Sequence, residues 1–288
     1  MHNSRTSEWS WRLILASLLL VAACSPSEVA EEEGPEAAEA EFAYSGDKGP
    51  GFWGSLNPQW RDCSSNNRQT PIDIADISTD PDLAAPQLDL QPAPIRLVNR
   101  GFDIQQNYTE GEGGSIRLGE TVYRLVQFHF HTLSEHTVNG SHAPMELHVV
   151  FVNPDAGDLA VIGVFYQIGQ ENAFLAQFSG RLPVKKGDRF DSPNEINVAE
   201  ELTSISSFYT YLGSLTTPGC APIVTWIVLK QPASMSEGQF QSFRGIMGNN
   251  FRPLQKRGDR IIRATPGEGG GRQGRQEGFR ESNLSTDN

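Results

Sequence analysis

Apolar stretches of strand length recur through the middle of the chain, and Gly, Pro, Asn and Asp separate most of them. Residues 159–166 and 224–229 are apolar on both faces, so we expect them inside a sheet that is covered on both sides. Helical periodicity is scarce, with short candidates near residues 171–178, 200–209 and 236–245. The strand-length runs are residues 94–99, 115–119, 123–131, 145–153, 159–169, 224–229 and 260–264.

This pattern predicts a mainly β (α+β) fold, a single domain around one large sheet with short surface helices. We place that domain at residues 42–264, because both ends differ in composition. Residues 1–23 carry arginines and then a short apolar run ending in small residues, which is typical of a signal peptide; a short buried helix is the alternative. Residues 24–41 hold seven glutamates and no Lys or Arg, which predicts an acidic flexible tether. The Gly- and Arg-containing residues 265–288 predict a disordered tail.

The apolar run near the N-terminus closes with the residues LVAAC, which resemble a bacterial lipoprotein signal. The resemblance implies cleavage before Cys24, lipidation of Cys24, and a lipid anchor to a membrane. The residue after this cysteine is Ser25 rather than Asp, which fits the outer-membrane destination of Gram-negative lipoproteins. We therefore expect an exported protein on the periplasmic side, anchored to the bacterial outer membrane.

The chain has a formal net charge of -12, which argues against a nucleic-acid partner because little would neutralise phosphates. The charge identifies no other partner. The sequence sets no oligomeric state, and a homodimer is one option.

Three of the six histidines lie within the ten residues QFHFHTLSEH, residues 127–136. Alternate residues of a strand point to one face, so Gln127, His129 and His131 share a face. His148 lies in the next apolar run, and an Asn-Gly turn signal between the two runs predicts an antiparallel hairpin. Imidazoles converging from two strands match a catalytic zinc site with three protein ligands and an open fourth position.

Other interpretations of these histidines stay open at this point. A His-x-His pair in a strand is more often a pair of half-buried histidines than a metal site. His136 and His142 compete with His148 for the third position. His142 follows a turn and looks exposed, whereas His136, beside Glu135, fits a buried structural histidine. An all-nitrogen ligand set suits zinc, but copper and nickel accept the same ligand type.

Further motifs extend along residues 42–264: GPGFWGSLNPQWRDC, RQTPIDI, QFHFHTLSEHTVNG, MELHVVF, YTYLGSLTTPG, VTWIVL and FRPLQKR. Together, and in this order, they resemble an alpha-class carbonic anhydrase of bacterial type. The resemblance implies a twisted, mostly antiparallel sheet of about ten strands, with Zn²⁺ in a central conical cleft. It also implies reversible hydration of carbon dioxide to bicarbonate and a proton by zinc-bound hydroxide.

The resemblance also implies a role for each matching residue of the metal centre. Thr216 would orient the hydroxide and give its own proton to Glu135. Without the zinc motifs, these two residues would be interpreted as a loop threonine and a solvated charge. The implied zinc ligands are His129, His131 and His148, and the groups holding their rings are the side chains of Gln127 and Glu146 and the Asn250 carbonyl.

Residues around the metal centre would form the substrate pocket for CO2 and bicarbonate. Thr217 would face bicarbonate, Tyr211 would join the hydrogen bonds behind Thr216, and Tyr44 would join the water network of the cleft. The apolar wall would consist of Val150, Val161, Leu215 and Trp226, although plain core packing is the likelier role of each from sequence alone.

Two positions depart from the family pattern. Phe102 stands where the family often has a proton-shuttle histidine, so this shuttle position is non-functional and we expect a lower turnover that buffer partly rescues. Gly219 replaces a common second proline after TTP, with an effect that the sequence does not give.

Relatives join the positions of Cys63 and Cys220 by a disulfide, and an oxidising compartment would permit this bond here. The alternative is a pair of free thiols.

Two alternatives to carbon dioxide hydration stay open from the sequence. One is a non-catalytic carbonic-anhydrase-like binding module, and the other is a zinc esterase.

Overall fold

The computed structural model describes residues 41–267. The predicted signal peptide, Cys24, the tether up to residue 40 and the tail from residue 268 lie outside these residues. Within residues 41–267, no helix is both long enough and apolar enough to span a bilayer.

Strands dominate the described chain, as the apolar runs predicted. They are β1 (Asp73–Ile74), β2 (Ser78–Thr79), β3 (Gln87–Leu90), β4 (Ala93–Asn99), β5 (Ile104–Asn107), β6 (Gly114–Leu118), β7 (Thr121–His131), β8 (Thr137–Val138), β9 (Ser141–His142), β10 (Met145–Val152), β11 (Leu159–Ile168), β12 (Arg189–Ile196), β13 (Phe208–Gly213), β14 (Val224–Leu229), β15 (Ala233–Met235) and β16 (Arg263–Ala264).

One sheet of 13 strands organises the fold, with the order β12-β4-β5-β7-β10-β11-β14-β13-β16-β2 and with β3, β6 and β15 attached beside it. In this sheet the pairs β11/β14, β11/β15 and β16/β2 are parallel and the other pairs are antiparallel, while β1, β8 and β9 form a separate small sheet. The prediction of a large, mostly antiparallel sheet with short helices is therefore confirmed. Strands β7, β10, β11 and β14 lie in the middle of this order, and both faces of β11 and β14 are covered, as their apolar sequences predicted.

The helices are short, and they are α1 (Trp53–Leu56), α2 (Ala173–Ala176) and α3 (Glu237–Met247), with 3₁₀ turns at Gly46–Lys48, Pro58–Ser64, Ser179–Arg181 and Val198–Glu201. Ser236 and Gln239 form a capping box that starts α3. The helix predicted at residues 200–209 is wrong. Only its first residues form a 3₁₀ turn, and β13 begins at Phe208 because this aromatic and β-branched segment pairs with β14.

The two faces of the central strands carry different side chains. Phe128 and Phe130 of β7 point into the larger hydrophobic core, and the Phe130 ring lies 4.6 Å from that of Phe243 on α3. The opposite face carries the histidines of β7 and a second apolar cluster that includes Trp226. Helix packing thus fixes one face of β7, and the other face is left for polar side chains.

Candidate metal centre and active site

Strand register brings three histidines together. His129 of β7 lies directly opposite His148 of β10, and His131 lies opposite Glu146. Because directly opposed residues of an antiparallel pair share a face, all three rings project to the same side. Their ring centroids are separated by 5.0 Å (His129 to His131), 5.2 Å (His129 to His148) and 4.6 Å (His131 to His148).

Hydrogen bonds fix the rings of the two β7 histidines. Nδ1 of His129 donates to Oε1 of Gln127 at 2.8 Å, and Nδ1 of His131 donates to the carbonyl of Asn250 at 2.7 Å. Both acceptors lack a proton to give, so each Nδ1 carries the ring proton. The Nε2 atoms are therefore left as lone-pair donors.

His148 is held in the opposite tautomer. Its Nε2 donates to Oε1 of Glu146 at 3.0 Å, which leaves Nδ1 free. One nitrogen from each of the three rings lies within 4.8 Å of the other two. The Asn139-Gly140 turn lies between β8 and β9, within the connection of β7 to β10, so the predicted hairpin is confirmed.

The environment favours the neutral form of His129 and His148. Burial lowers the pKa of His129 well below its usual value, and the neighbouring histidines and Arg100 lower it further. Burial also lowers the pKa of His148, although the Glu146 carboxylate opposes the shift. Neutral imidazoles are metal ligands, whereas imidazolium is not.

Two buried polar atoms at the centre of the cluster have no hydrogen-bond partner: Nε2 of His131 and Oε2 of Glu135. Buried polar atoms without partners are rare in folded proteins. The unpartnered nitrogen and the all-imidazole donor set fit a catalytic zinc ion with three protein ligands.

Glu146 organises the back of the cluster. Its Oε2 accepts hydrogen bonds from the backbone N–H groups of Glu135 and His136 at 2.8 and 2.9 Å, and its Oε1 accepts from Nδ1 of His136 at 2.7 Å. Although burial alone would raise the pKa of Glu146, His136 and His148 hold it well below the usual value. His136, Glu146 and His148 also lie close enough to hold a metal, but the atoms between them already hydrogen-bond one another.

His136 is fully buried, and its Nε2 lies 2.7 Å from the hydroxyl of Tyr211. It is therefore the structural histidine that its position beside Glu135 suggested. His142 is half-buried rather than exposed, because its Nδ1 bonds the carbonyl of Ser134 at 2.7 Å.

Glu135 faces the histidines. Its Oε1 accepts the backbone N–H of Arg252 at 2.8 Å, while Oε2 lies 3.7 Å from Nε2 of His131 and 3.9 Å from Nδ1 of His148. Thr216 is buried, but in the described residues its hydroxyl makes no hydrogen bond to this free carboxylate oxygen. The proton transfer predicted between Thr216 and Glu135 stays a prediction.

Several contacts hold the loop that carries Thr216. The indole N–H of Trp226 donates to the Ser214 carbonyl at 3.1 Å, and the N–H of Leu215 donates to the carbonyl of Ala221 at 3.0 Å. Gly219 has φ = 100°, a conformation that proline cannot adopt. The glycine that departs from the family pattern is therefore required by this loop.

A disulfide joins Cys63 to Cys220 across 157 residues. It ties the N-terminal segment to the loop after Thr217, whose carbonyl accepts the N–H of Cys220 at 3.0 Å. The bond links two segments that are far apart in sequence beside the candidate active site.

The predicted wall residues fall in one row across the sheet. Register aligns Gln127 with Val150, Val150 with Val161, Val161 with Trp226, and Trp226 with Tyr211. Leu215 packs against the same apolar cluster. The row lies two residues along the strands from the row that contains His129 and His148, and therefore on the same face.

The remaining predicted residues surround this centre. The hydroxyl of Tyr211 donates to Oγ1 of Thr70 at 3.3 Å, and Oγ1 of Thr70 accepts the N–H of Ser214 at 2.9 Å, so Tyr211 reaches the Thr216 loop indirectly. The Tyr44 hydroxyl is buried without a partner, and burial together with the charges of Glu135 and Asp103 raises the pKa of Tyr44 well above its usual value.

Sequence reasoning missed Gly163 and Arg252. A Cβ at Gly163 would lie 2.9 Å from Oε1 of Glu146, so the strand needs glycine at this point. The buried Arg252 side chain donates to the carbonyls of Thr70 and Cys63 at 2.7 and 2.9 Å. Gly163 lies inside a uniformly apolar strand and Arg252 in a basic segment, so neither carried a signal in the sequence.

Known proteins are similar to this chain in fold and in sequence. A family profile described as eukaryotic-type carbonic anhydrase matches residues 48–266. A carbonic anhydrase from Nostoc sp. (strain PCC 7120 / SAG 25.82 / UTEX 2576) is 37% identical over 229 residues, covering 77% of this chain and 84% of that protein. The solved alpha-carbonic anhydrase from Thermovibrio ammonificans, in complex with the inhibitor sulfanilamide, superimposes with a TM-score of 0.74 at 36% identity, covering 78% of this chain and 99% of that one. The Photobacterium profundum alpha-carbonic anhydrase gives 0.72 at 35% identity, covering 77% and 100%. The chain therefore belongs to the alpha carbonic anhydrase family.

Proposed function

We propose that this protein catalyses the reversible hydration of carbon dioxide to bicarbonate and a proton, with zinc held by His129, His131 and His148. The observation that carries the proposal is the set of three hydrogen-bonded rings, each with one free nitrogen directed to a common centre. Family membership supports the same activity.

When bound, zinc would act as a Lewis acid that lowers the pKa of water to about 7, a value for which carbonic anhydrases are themselves the standard example. Gln127, Glu146 and the Asn250 carbonyl would hold the rings in the tautomers that present their free nitrogens. These contacts act before any substrate arrives, so the ligand geometry is preorganised.

Thr216 and Glu135 would orient the attacking oxygen. In our proposal the Thr216 hydroxyl accepts a hydrogen bond from that oxygen and donates its own proton toward Oε2 of Glu135. Supporting this, Oε2 is buried without a hydrogen-bond partner, and the Arg252 N–H holds the other carboxylate oxygen. The oxygen lone pair would then point toward the carbon under attack.

Because carbon dioxide is small and apolar, it would contact a surface of apolar side chains from which water is excluded. Val150, Val161 and Trp226 are aligned in one row beside the histidine row, and Leu215 packs near them. We propose that this wall holds carbon dioxide and that Thr217 faces bicarbonate. Exclusion of water from the wall would also strengthen the electrostatic interactions at the centre.

We propose that turnover is limited by proton export, because Phe102 has no group that can carry a proton. Stopped-flow CO2 hydration in dilute buffer should show a low kcat that rises with added imidazole. A kcat unchanged at saturating imidazole would contradict this part of the proposal.

The central test measures zinc content and CO2 hydration of the purified protein before and after chelator treatment, and again after zinc is restored. We expect stoichiometric zinc, loss of activity with the chelator and recovery with zinc. Zinc bound without hydration activity would overturn the proposed reaction, and no zinc binding would overturn the proposed ligand set.

We also propose that the protein is exported and lipid-anchored through Cys24, so that residues 42–264 work on the periplasmic side of the outer membrane. The support is the signal-like N-terminus and the LVAAC motif. Mass spectrometry of the mature N-terminus would detect the lipid, and an unmodified Cys24 would refute the anchor.

A further inference from the structure

Position 102, at which the family often carries a shuttle histidine, is enclosed by neighbouring side chains. The Phe102 ring is half-buried, with the ring of Phe42 centred 4.7 Å away and the guanidinium carbon of Arg100 4.5 Å from its centroid. The Phe102 carbonyl accepts a hydrogen bond from Nδ2 of Asn250 at 2.9 Å. Backbone and side chain of residue 102 are therefore both fixed.

The Arg100 side chain is itself locked. Its Nε donates to Oδ1 of Asp103 at 2.7 Å, and Nη2 bonds the other oxygen of the same carboxylate. The Asp103 side chain is 1% exposed. A bidentate pair with a buried carboxylate holds the guanidinium more firmly than an exposed ion pair would.

Phe42 is held from the N-terminal side. Its ring packs edge-on against Trp53 at 5.4 Å and Trp60 at 6.2 Å. The preceding residue, Glu41, bonds Nζ of Lys48 at 3.1 Å and lies 4.0 Å from Nζ of Lys186. The N–H of Ala43, which follows Phe42, donates to the Lys48 carbonyl at 2.8 Å, so the segment around Phe42 is attached on both sides of the ring.

We propose that Phe42 and Phe102 form an aromatic plug, locked by Arg100 and Asp103, and that this packing would shield any proton-carrying side chain at position 102 from solvent. Phe42 is then a second obstacle to a shuttle at this position, so a histidine at position 102 alone does not restore one. This inference rests on the proposed function, but the plug itself is defined by contacts that need no zinc.

The physical reason lies in what a shuttle must do. It has to take a proton inside the cleft and release it to solvent, with a pKa near the working pH. An imidazole placed between Phe42 and Arg100 would be desolvated, which disfavours imidazolium, while the opposite charges of Arg100 and Asp103 largely offset each other. Removal of the Phe42 ring opens the imidazole to water and restores the charged form.

The experiment introduces F102H, with and without F42A, into the full chain. NMR titration of the added histidine should give F102H a pKa below the reference of about 6.5, and F42A/F102H a pKa within about half a unit of that reference. Stopped-flow CO2 hydration of zinc-loaded protein in dilute buffer should rise less than about twofold for F102H, and at least about tenfold more for the double variant. A single variant that titrates near the reference and gains the same activity would overturn the plug.

Matched variants test whether the effect belongs to the Phe42 ring in particular. Phe52 is 51% exposed, so F52A/F102H should behave as F102H does. If it matches F42A/F102H instead, the effect of Phe42 is nonspecific and the plug is overturned. If F42A disturbs folding, F42L keeps apolar packing without a ring and should give an intermediate pKa for the added histidine. Zinc-loaded parent protein without CO2 hydration would refute the proposed function, while the NMR titration would still decide the plug.

Discussion

Replacement of Glu146 by Gln should weaken zinc binding by reversing the hydrogen bonds that Glu146 accepts from His136 and His148. The two backbone N–H groups that bond Oε2 of Glu146 can only donate, so the amide oxygen of the glutamine must take that side. Its NH2 group then faces Nδ1 of His136 and Nε2 of His148. To accept from NH2, His148 must move its proton to Nδ1, the nitrogen that the zinc would need.

The size of the effect follows from these contacts. Loss of a partner that orients a metal-ligating histidine reduces metal affinity about 10- to 100-fold, or about 1.4–2.7 kcal/mol. Glu146 also loses charge-assisted hydrogen bonds to two rings, and hydrogen bonds to charged groups contribute about 1.5–3 kcal/mol each. Because the tautomer change recovers part of this, we expect zinc-free E146Q to lose about 2–4 kcal/mol of unfolding free energy.

Competition with a chromophoric chelator measures the zinc affinity, and urea unfolding of the zinc-free protein measures stability. E201Q is the matched control, since Glu201 is also a buried carboxylate but bonds Tyr166 and Asn172 and none of the candidate ligands. Its zinc affinity should equal that of the parent protein. Folded E146Q that binds zinc within twofold of the parent would refute the tautomer argument.

Three further changes test other parts of the molecule. Burial lowers the pKa of both His129 and His148, so below about pH 6.5 the unfolded chain binds protons that the folded zinc-free chain excludes. Stability should therefore fall between pH 7.5 and 5.5, by at most about 3 kcal/mol, and a flat urea midpoint would contradict this. Replacement of Cys63 and Cys220 by serine should lower the unfolding free energy by about 2–5 kcal/mol, because the bond closes a loop of 157 residues; an unchanged urea midpoint would count against it. In G213A the new Cβ would lie 2.2 and 2.7 Å from two neighbouring side chains, so thermal unfolding should show a loss of about 1–3 kcal/mol, and a variant as stable as the parent would contradict the packing.

Much of the sheet was predictable because strand patterns are local. Alternation around His129 and His131 identified the shared face, and β7 and β10 pair as their apolar runs and the turn between them suggested. The helix predicted at residues 200–209 failed because most of the segment forms turns, and only Phe208 and Tyr209 enter β13, where they pair with β14.

The candidate site was predictable only where its residues belong to a local sequence pattern, such as the alternating histidines of β7. Choice among His136, His142 and His148 needed the three-dimensional register, since all three lie near the same hairpin. Phe42 gave no signal, because its contact with Phe102 joins positions 60 residues apart in the chain. Contacts of this kind depend on chain path rather than on local spacing.

Two of the buried side-chain atoms that lack a hydrogen-bond partner face each other inside the histidine cluster, and this pairing points to function. Nε2 of His131 and Oε2 of Glu135 are buried, unpartnered and 3.7 Å apart, although an unsatisfied buried polar group costs about 1–3 kcal/mol. On the other face of β7, Phe128 and Phe130 are fully buried in apolar contacts. One face of β7 therefore stabilises the fold, and the unpartnered polar atoms on the other face lower its stability. Such a loss of stability is expected where side chains are positioned for a ligand rather than for folding.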